Sequence, residues 1–434
     1  MVSYLRRTDC VRVPLLILTL ILVAILAGCR SHEQSSDGRI PIRIFLMFLS
    51  PKESEYYAWA EKTFEQRNPA LDVQIMHFPG ASLKDFEVKL RLMFASHQAP
   101  DIVPVAEALA AKFARKGLLA RCPPYIKKMV DENSLNEFVR QSGYVDGTCY
   151  GIANNAAWTV MFYNKKLFRE VGLDPDRPPR TWDELLDYAD RLTVRDASGE
   201  PTRAGFFIRK TGVIPGIAGK WLTFLYSAGG HPFTPDGKRA AFNSPEGREA
   251  LGFYKTILDR KIDSIRLDGD EQGFGQEKVA IFFRESYMTR FLAEHYPNVE
   301  YGLAPIPRKK FSLSDGASYV LTVNAESQGR EAAWRFVQFL MSDEAYARMM
   351  DSGGTTPTIK SIATLPKYAQ DPLVQTFLEQ PVAPTNTGPG MDRALETLGA
   401  YIERFCYGHL TIDETLERAE KDINALLDRL NKGR

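Results

Sequence analysis

The potential catalytic residues of the chain do not occur in the sequence motifs that are typical of catalytic sites. The chain has no Gly-x-Ser-x-Gly, His-Glu-x-x-His or Cys-x-x-Cys motif, and its six histidines are scattered. Gly216 to Lys220 is only faintly like a phosphate loop, since the glycine spacing is wrong and Trp221 replaces the expected Ser or Thr. Gly273-Phe274-Gly275 lacks the third glycine of a nucleotide site. The sequence therefore predicts no enzyme, no metal and no cofactor.

The elements that would position a binding site are clearest between Cys149 and Thr193. An apolar segment, Val160 to Tyr163, stops at Asn164, whose side chain can cap a helix over Lys165 to Val171. Gly172 is the usual residue for a left-handed helix end. Thr181 and Glu184 have the spacing of a capping box that opens a second helix with one apolar face. This stretch is therefore predicted to form strand, helix, turn and helix.

This stretch closely resembles the signature segment of the family 1 extracellular solute-binding proteins, the group that includes the maltose-binding protein of ABC importers. The matching residues are Tyr150-Gly151-Ile152, Tyr163-Asn164-Lys165, Leu167-Phe168, Gly172-Leu173-Asp174 and Pro179-x-Thr181-Trp182-x-Glu184. Weaker matches extend the resemblance from Ile42 to Leu427. It implies an α/β, two-lobed periplasmic-binding-protein type II fold, in which each lobe is a mostly parallel sheet flanked by helices and the ligand cleft lies between the lobes.

Periodicity alone supports the α/β class. Ile40 to Phe48 predicts a first strand, and Leu71, Val73 and Ile75 alternate with polar residues in a second. Helical patterns stand between them and before a third strand at Ile102. This β-α-β-α-β order predicts a parallel sheet with helices on its faces.

The N-terminal residues have the pattern of an export signal. Arginines precede the apolar run Leu15 to Leu26, which is shorter than the roughly 20 residues that span a bilayer. The run closes with Leu26-Ala27-Gly28-Cys29, which resembles the lipobox of bacterial lipoproteins, where Cys29 carries lipid. An ordinary cleavable peptide and an uncleaved anchor are the alternatives.

From the resemblance the chain is expected to cross between lobes near Gly151 to Asn155, near Tyr301 and near Gly353 to Pro357. The expected division is a signal peptide over 1–28, a lipid-anchored linker over 29–39, a first lobe of 40–152 plus 302–353, and a second lobe of 153–301 plus 358–434.

The net charge argues against one class of ligand, and the cysteine content leaves two bonding states open. Removing residues 1–28 moves the formal net charge from +1 to −1, and a nearly neutral chain argues against nucleic acid. Besides Cys29, the remaining chain has Cys122, Cys149 and Cys406. In an exported protein both a Cys122–Cys149 disulfide and buried free thiols are compatible with this number.

Aromatic side chains are expected to supply sugar-binding surfaces. A sugar offers an apolar face of C–H bonds and a rim of hydroxyls, so its receptor needs aromatic rings with carboxylates, amides or arginines around them. The resemblance places ligand contacts at Asn155 and Trp158, just after the first crossing, and stacking at Tyr287; Trp221 is a further candidate. For each tryptophan a core position is the alternative.

The expected polar contacts follow the same resemblance. Glu107 follows the third strand and is expected to hydrogen-bond a sugar hydroxyl, with a surface carboxylate as the alternative. Arg284 and Glu285 border the Tyr287 loop, and one of them is expected to face the cleft. The remaining candidates lie at the end of the first strand, in the loop that replaces the family's Gly-Gly loop, and after residue 390: Ser50, Asp315, Tyr319, Asp392 and Arg393.

Three functions compete at this point. The first is a lipid-anchored, monomeric receptor that delivers a carbohydrate, or alternatively glycerol phosphate, to the permease subunits of an ABC transporter. The second is an exported carbohydrate-active enzyme, which the missing catalytic motifs disfavour. The third is a lipoprotein that reports ligand occupancy to a signalling system.

Overall fold

A computed structural model describes residues 38–47, 50–79, 83–267, 271–353, 356–384, 388 and 390–432. The expected signal peptide and Cys29 lie outside these residues, as do Phe48 and Gly354. Within the described residues the chain forms helices and strands throughout its length.

The strands, in chain order, are β1 Ile40–Met47, β2 Leu71–Phe78, β3 Ile102–Ala106, β4 Tyr144–Val145, β5 Thr148–Cys149, β6 Gly151–Asn164, β7 Val194–Arg195, β8 Pro201–Phe207, β9 Val279–Glu285, β10 Tyr301–Ala304 and β11 Gly316–Val323.

The helices, in chain order, are α1 Pro51–Arg67, α2 Leu83–Ala95, α3 Glu107–Arg115, α4 Pro124–Asn133, α5 Glu137–Ser142, α6 Lys165–Glu170, α7 Trp182–Leu192, α8 Ile214–Ala228, α9 Pro245–Asp259, α10 Glu271–Gly275, α11 Tyr287–His295, α12 Arg330–Leu340, α13 Asp343–Ser352, α14 Lys360–Ala363, α15 Pro366–Ala369, α16 Pro372–Glu379, α17 Met391–Cys406 and α18 Ile412–Lys432.

The main sheet is mixed in direction. Its order is β2-β1-β3-β11-β6-β9-β8-β7, with β10 also paired to β6. The pairs β1–β2, β1–β3 and β8–β9 are parallel, as the β-α-β order predicts. The central pairs β3–β11, β11–β6, β6–β9 and β6–β10 are antiparallel. The expectation of mostly parallel sheets is therefore corrected at the centre, where the chain returns between the two halves.

Strand β6 joins the two halves of this sheet. Its first part pairs with β11 as far as Trp158 opposite Gly316, and its second part pairs with β9 from Thr159 opposite Glu285. The change of partner between two consecutive residues marks the junction between the halves, and the site described below lies there.

Each half of the sheet is covered by its own apolar cores. The first half packs on two clusters, one containing Ile42, Trp334 and Tyr346 and one containing Phe86 and Leu109. The second half packs on clusters that contain Phe224, Leu398 and many other apolar side chains.

Two segments lie in a different half from the expected one. Strand β10 pairs with the second part of β6, and Ile306 lies in the second core, so the return to the first half comes after residue 302. Ile359 and Ile362 pack in the first core. The Thr358 hydroxyl donates to the carbonyl of Ala153 on β6 (2.8 Å), which holds this segment against the first half.

The boundaries in the most informative stretch follow from local chemistry. The Asn164 side chain accepts the amide of Leu167 (3.0 Å), and Gly172 has φ +70°. Thr181 accepts the amide of Glu184 (3.2 Å), but the Glu184 carboxylate accepts the Arg180 amide and not that of Thr181. The predicted capping box is therefore only half formed.

Candidate functional site

A strip of small and polar side chains lies where β6 changes partner. Asn155 stands opposite Tyr319 and Ala157 opposite Ala317, in the antiparallel register of β6 and β11. Thr159 and Asp315 extend the same face, because alternate residues of a strand point to one side. Asn155 and Ala317 are exposed, and Ala157 and Tyr319 are partly buried. The two alanines leave room above the sheet between polar ends.

Trp158 points to the opposite face of β6, so its expected role in the cleft is wrong. Its indole is fully buried, donates to the carbonyl of Phe377 (2.7 Å) and packs edge-on against Phe138. Successive side chains of a strand point to opposite faces of the sheet, so Trp158 faces away from its neighbours Ala157 and Thr159. Trp158 is therefore a core residue.

Trp221 is also a core residue. It is fully buried in the second core and packs edge-on against Phe242. The residue beside it on α8, Lys220, points to the junction of the two halves.

Lys220 links three elements at the junction. Its Nζ donates to Thr159 Oγ1 (2.7 Å) and to Glu285 Oε1 (2.5 Å), and lies 3.8 Å from Asp315 Oδ1. The hydroxyls of Thr159 and Thr223 each donate to Asp315 Oδ1 at 2.9 Å. Strands β6 and β9, helix α8 and the Asp315 loop are thus tied to one cation.

Gly219 allows Asp315 to approach α8. A Cβ atom at position 219 would lie 2.4 Å from Asp315 Oδ2, which is closer than non-bonded atoms can stand. The glycine is therefore required by the position of the carboxylate, although glycine inside a helix is unfavourable.

Arg284 lies behind the site and does not face it. Its side chain is 4% exposed, forms an ion pair with Glu271 and lies 3.5 Å from Glu285 Oε2. The Tyr287 hydroxyl donates to Glu271, and the Arg284 guanidinium lies 5.6 Å from the centre of the Tyr287 ring. Of the two residues expected to compete for the cleft, Glu285 is the more open.

The positively charged side chains of the site are more deeply buried than the negatively charged ones. The side chains of Lys220 and Arg284 are 5% and 4% exposed, whereas those of Glu285, Glu271 and Asp315 are 20–23% exposed. Burial alone raises the pKa of Glu285, but the charges of Lys220 and Arg284 lower it to about 2. Solvent in the cleft therefore meets ionised carboxylates with cations behind them.

Glu107 provides a second acidic position, in the first half. Its Oε2 accepts the amide (2.7 Å) and the hydroxyl (3.1 Å) of Ser318 on β11. Burial raises the pKa of Glu107 above its usual value despite these two hydrogen bonds. Burial and the nearby Glu107 carboxylate also raise the pKa of Tyr319. Glu107 and Tyr319 therefore lie together at the end of the strip.

Three expected residues lie away from this centre. The Ser50 hydroxyl caps α1, where it accepts the amide of Glu53 (3.2 Å). Arg393 is exposed on the first turn of α17. Asp392 lies beside it and reaches Lys112 on α3, with 3.6 Å between Oδ2 and Nζ. Because α3 packs in the first half and α17 in the second, this pair joins the rims of the two halves.

Four polar residues of the network were missed by sequence reasoning. They lie on β6, on α8, where Lys220 ends the dismissed phosphate-loop motif, and at the start of α10: Thr159, Lys220, Thr223 and Glu271. Lys220 and Thr223 are one residue and four residues after Gly219, so a helical pattern of small and polar residues was present. Only the tertiary fold shows that this pattern meets Asp315.

The residues that the structure describes contain neither a cluster that could hold a metal ion nor a helix that could span a membrane. Among them, no three His, Cys, Asp or Glu side chains are arranged so that they could hold a metal ion. No helix in the described part of the chain has the length and apolar character of a membrane span.

Comparisons with known proteins give the same picture as the fold. Residues 50–347 match the model of the family described as bacterial extracellular solute-binding protein. A binding protein of Brucella abortus (strain 2308) is 24% identical over 79% of this chain and 82% of its own length. The sn-glycerol-3-phosphate-binding periplasmic protein of Escherichia coli (strain K12) is 26% identical over 64% of this chain and 67% of its own length.

Solved structures resemble the whole architecture. The cyclic alpha-maltosyl-1,6-maltose binding protein from Arthrobacter globiformis superposes with a TM-score of 0.77 at 23% identity, covering 90% of this chain and 100% of its own. The sugar-binding protein MalE from Xanthomonas citri gives a TM-score of 0.77 at 21% identity, covering 90% of this chain and 98% of its own. The two-lobed α/β fold is thereby shown.

Proposed function

The chain belongs to the bacterial extracellular solute-binding protein family, and we propose that it binds a neutral carbohydrate in the cleft at the β6 junction. The protein then delivers the sugar, chemically unchanged, to the permease subunits of an ABC transporter. The observation that carries the choice of ligand is the exposure of Glu285, Asp315 and Glu271 in front of buried cations.

The charge arrangement favours hydroxyl groups over phosphate. Carboxylate oxygens accept hydrogen bonds from sugar hydroxyls, and hydrogen bonds to a charged group are stronger than those between neutral groups. A phosphate needs exposed donors such as Arg or Lys, yet Lys220 and Arg284 already pair with carboxylates and are almost fully buried. An anionic ligand would also be repelled by three carboxylates. A neutral sugar therefore suits this cleft better than glycerol phosphate does.

Two tyrosines supply the aromatic surface in this proposal. Tyr319 lies on the first half and Tyr287 on the second, and both are partly buried. The alanine floor between Asn155 and Asp315 leaves space for a sugar ring, whose C–H face packs on aromatic rings. Glu107 and Asn155 add acceptors and an amide at the far end. Sequence reasoning also named these side chains, whereas Trp158 and Trp221, which it named beside them, are core residues.

Binding is coupled to closure of the lobes. The proposed first lobe holds β1 to β3, β11 and the 358–368 segment, and the proposed second lobe holds β8 to β10. A ligand favours closure only if it binds the closed state better than the open one, which requires contacts with both lobes. The ion pair between Lys112 and Asp392 spans the two rims and supports such a closed state.

Export and lipid anchoring complete the proposal. Cys29 is the lipidated N-terminus of the mature protein, because Leu26-Ala27-Gly28-Cys29 ends the apolar run. Mass spectrometry of protein extracted from membranes should find lipid on Cys29, and Cys29→Ser should release the protein. Membrane-derived wild-type protein without lipid would contradict the anchor but leave ligand binding untouched.

Calorimetry with a defined panel tests the choice of ligand. The panel is maltose, maltotetraose, α-D-tagatose and sn-glycerol-3-phosphate, injected into the same protein preparation. At least one neutral sugar should bind saturably with one site per chain and be recovered unchanged. Saturable binding of sn-glycerol-3-phosphate alone, or conversion of a sugar, would contradict the proposal.

A further inference from the structure

Two cysteines of the first half lie side by side just before the strand that crosses between the lobes. Cys122 follows α3 in the connection to α4, and Cys149 ends β5, two residues before β6. The amide of Cys122 donates to the carbonyl of Cys149 (2.9 Å). Cys149 is buried in the core of the first half, and Cys122 is partly buried against it.

The geometry at this point suits a covalent link. One backbone hydrogen bond, from the Cys122 amide to the Cys149 carbonyl, holds the two residues side by side, as a disulfide requires of residues whose Cα atoms it joins across roughly 4.4–6.8 Å. The two thiols are also neighbours, because each shifts the pKa of the other, and the Cys149 thiol donates to the carbonyl of Gly151 (3.6 Å).

We propose that Cys122 and Cys149 form a disulfide in the exported protein. Two S–H bonds break and one S–S bond forms, while two electrons and two protons pass to a disulfide of an extracytoplasmic thiol oxidase or of glutathione. The inference rests on the proposed function only for the oxidising compartment. It fixes the start of the crossing strand to the α3–α4 connection of the first half.

Access and reactivity favour this order of events. Cys122 is only partly buried whereas Cys149 is buried, so an external disulfide reaches the Cys122 thiol first. Cys122, the less buried thiol, forms the mixed disulfide, and Cys149 then displaces the oxidant's thiolate, since exchange proceeds through thiolates.

Cys406 is the matched control in the same chain. It is buried on α17 in the second core, where burial raises its pKa to about 12. Among the described residues, no other cysteine packs in that core cluster. Its thiol should stay reduced under conditions that oxidise the other two.

Peptide mass spectrometry tests the bond directly. Protein from membranes is alkylated with iodoacetamide in denaturant without reduction, then digested. The expected product joins the Cys122 and Cys149 peptides at a mass two hydrogens below their sum, with Cys406 alkylated. Alkylation of both Cys122 and Cys149, or a link from either to another cysteine, would overturn the proposal. Failure of sugar binding in calorimetry is a separate result.

Thermal unfolding adds an independent readout. Reduction with a phosphine should lower the Tm of wild-type protein and of Cys406→Ser by several degrees, because the bond restricts the unfolded chain. The double variant with Cys122→Ser and Cys149→Ser should show no change on reduction. Purified protein exposed to oxidised glutathione should form the same link, and its failure to do so would contradict the geometry apart from any question of export.

Discussion

At the scale of single residues, the buried Lys220 holds Glu285 ionised. The pKa of Glu285 is lowered to about 2 from an ordinary value near 4.5, so its stabilisation is complete above pH ~4.5 and is lost as the pH falls through about 2. Between pH 7 and pH 3 this group alone contributes about 2 kcal/mol to the free energy of unfolding. We expect Lys220→Met to remove most of that difference and to lower stability at pH 7.

Urea unfolding at pH 7 and pH 3 measures this effect. Lys238→Met is the control, because Lys238 is an exposed partner of Asp236 on the surface of the second half. The control should keep the wild-type difference between the two pH values. If Lys220→Met kept it too, Lys220 would not be the cation that lowers the pKa of Glu285.

Substitutions of Trp158 and Tyr319 distinguish a residue of the core from a residue of the proposed cleft. Trp158→Phe removes a buried ring and the bond to Phe377, and should lower the unfolding free energy by about 2 kcal/mol. The affinity for the best sugar of the panel should stay within about twofold. Tyr319→Ala should instead weaken that affinity by about tenfold, since an aromatic contact contributes of the order of 1 kcal/mol.

Calorimetry and urea unfolding of the same two variants give the answer. Weaker sugar binding by folded Trp158→Phe, combined with unchanged binding by Tyr319→Ala, would exchange the roles of the two faces of β6.

At the scale of elements, the contact between α8 and the Asp315 loop is set by Gly219. Gly219→Ala places a Cβ against Asp315 Oδ2, so the carboxylate must move. We expect the sugar affinity to fall by about tenfold, the effect of losing one hydrogen bond to a charged group. Gly252→Ala on α9 is the control, because a Cβ there meets nothing within 4 Å. Equal affinities in both variants, measured by calorimetry, would contradict this role of Gly219.

Sequence reasoning predicted those element boundaries that depend on local chemistry. Asn164 as a cap and Gly172 as a left-handed residue are decided by a few neighbouring atoms, so the pattern contains the answer. The direction of the central strands was not predicted. It depends on β10 and β11 returning beside β6, and no local pattern encodes which distant strand becomes the partner.

The site was predicted only in part for the same reason. Tyr319 lies on β11, Asp315 directly precedes that strand and Glu107 accepts the Ser318 amide, so sequence reasoning named three residues that the structure brings to one strand, and their contact with ligand stays a prediction. Trp158 was assigned to the wrong face because the apolar run around it gives no alternation to fix the phase. Lys220 was overlooked because its meaning arises from Thr159 and Glu285, which are distant in sequence.

At the scale of the whole molecule, the Lys112–Asp392 pair joins α3 of the first half to α17 of the second, and we propose that it acts when the lobes close. Lys112 and Asp392 are 34% and 44% exposed, so their pair contributes about 0.2–1 kcal/mol. Asp392→Asn should weaken sugar binding by at most about fivefold, and less at 1 M salt, where charges are screened.

The pair Arg67–Glu344 is the control for closure. It joins α1 and α13 within the first half. Arg67→Ala should leave the affinity and its salt dependence unchanged in calorimetry. The same salt response in both variants would show that the Lys112–Asp392 pair does not act through closure.

In the proposed function, partly exposed carboxylates at the lobe junction select a neutral sugar. The most direct measurement is the affinity of wild type and Glu285→Gln, by calorimetry at pH 7, for the best neutral sugar and for sn-glycerol-3-phosphate. Removing one negative charge should weaken sugar binding by about tenfold and should not weaken any binding of the anion. If wild type bound sn-glycerol-3-phosphate more tightly than every sugar, and Glu285→Gln left sugar binding unchanged, selection of a neutral sugar by these carboxylates would be contradicted.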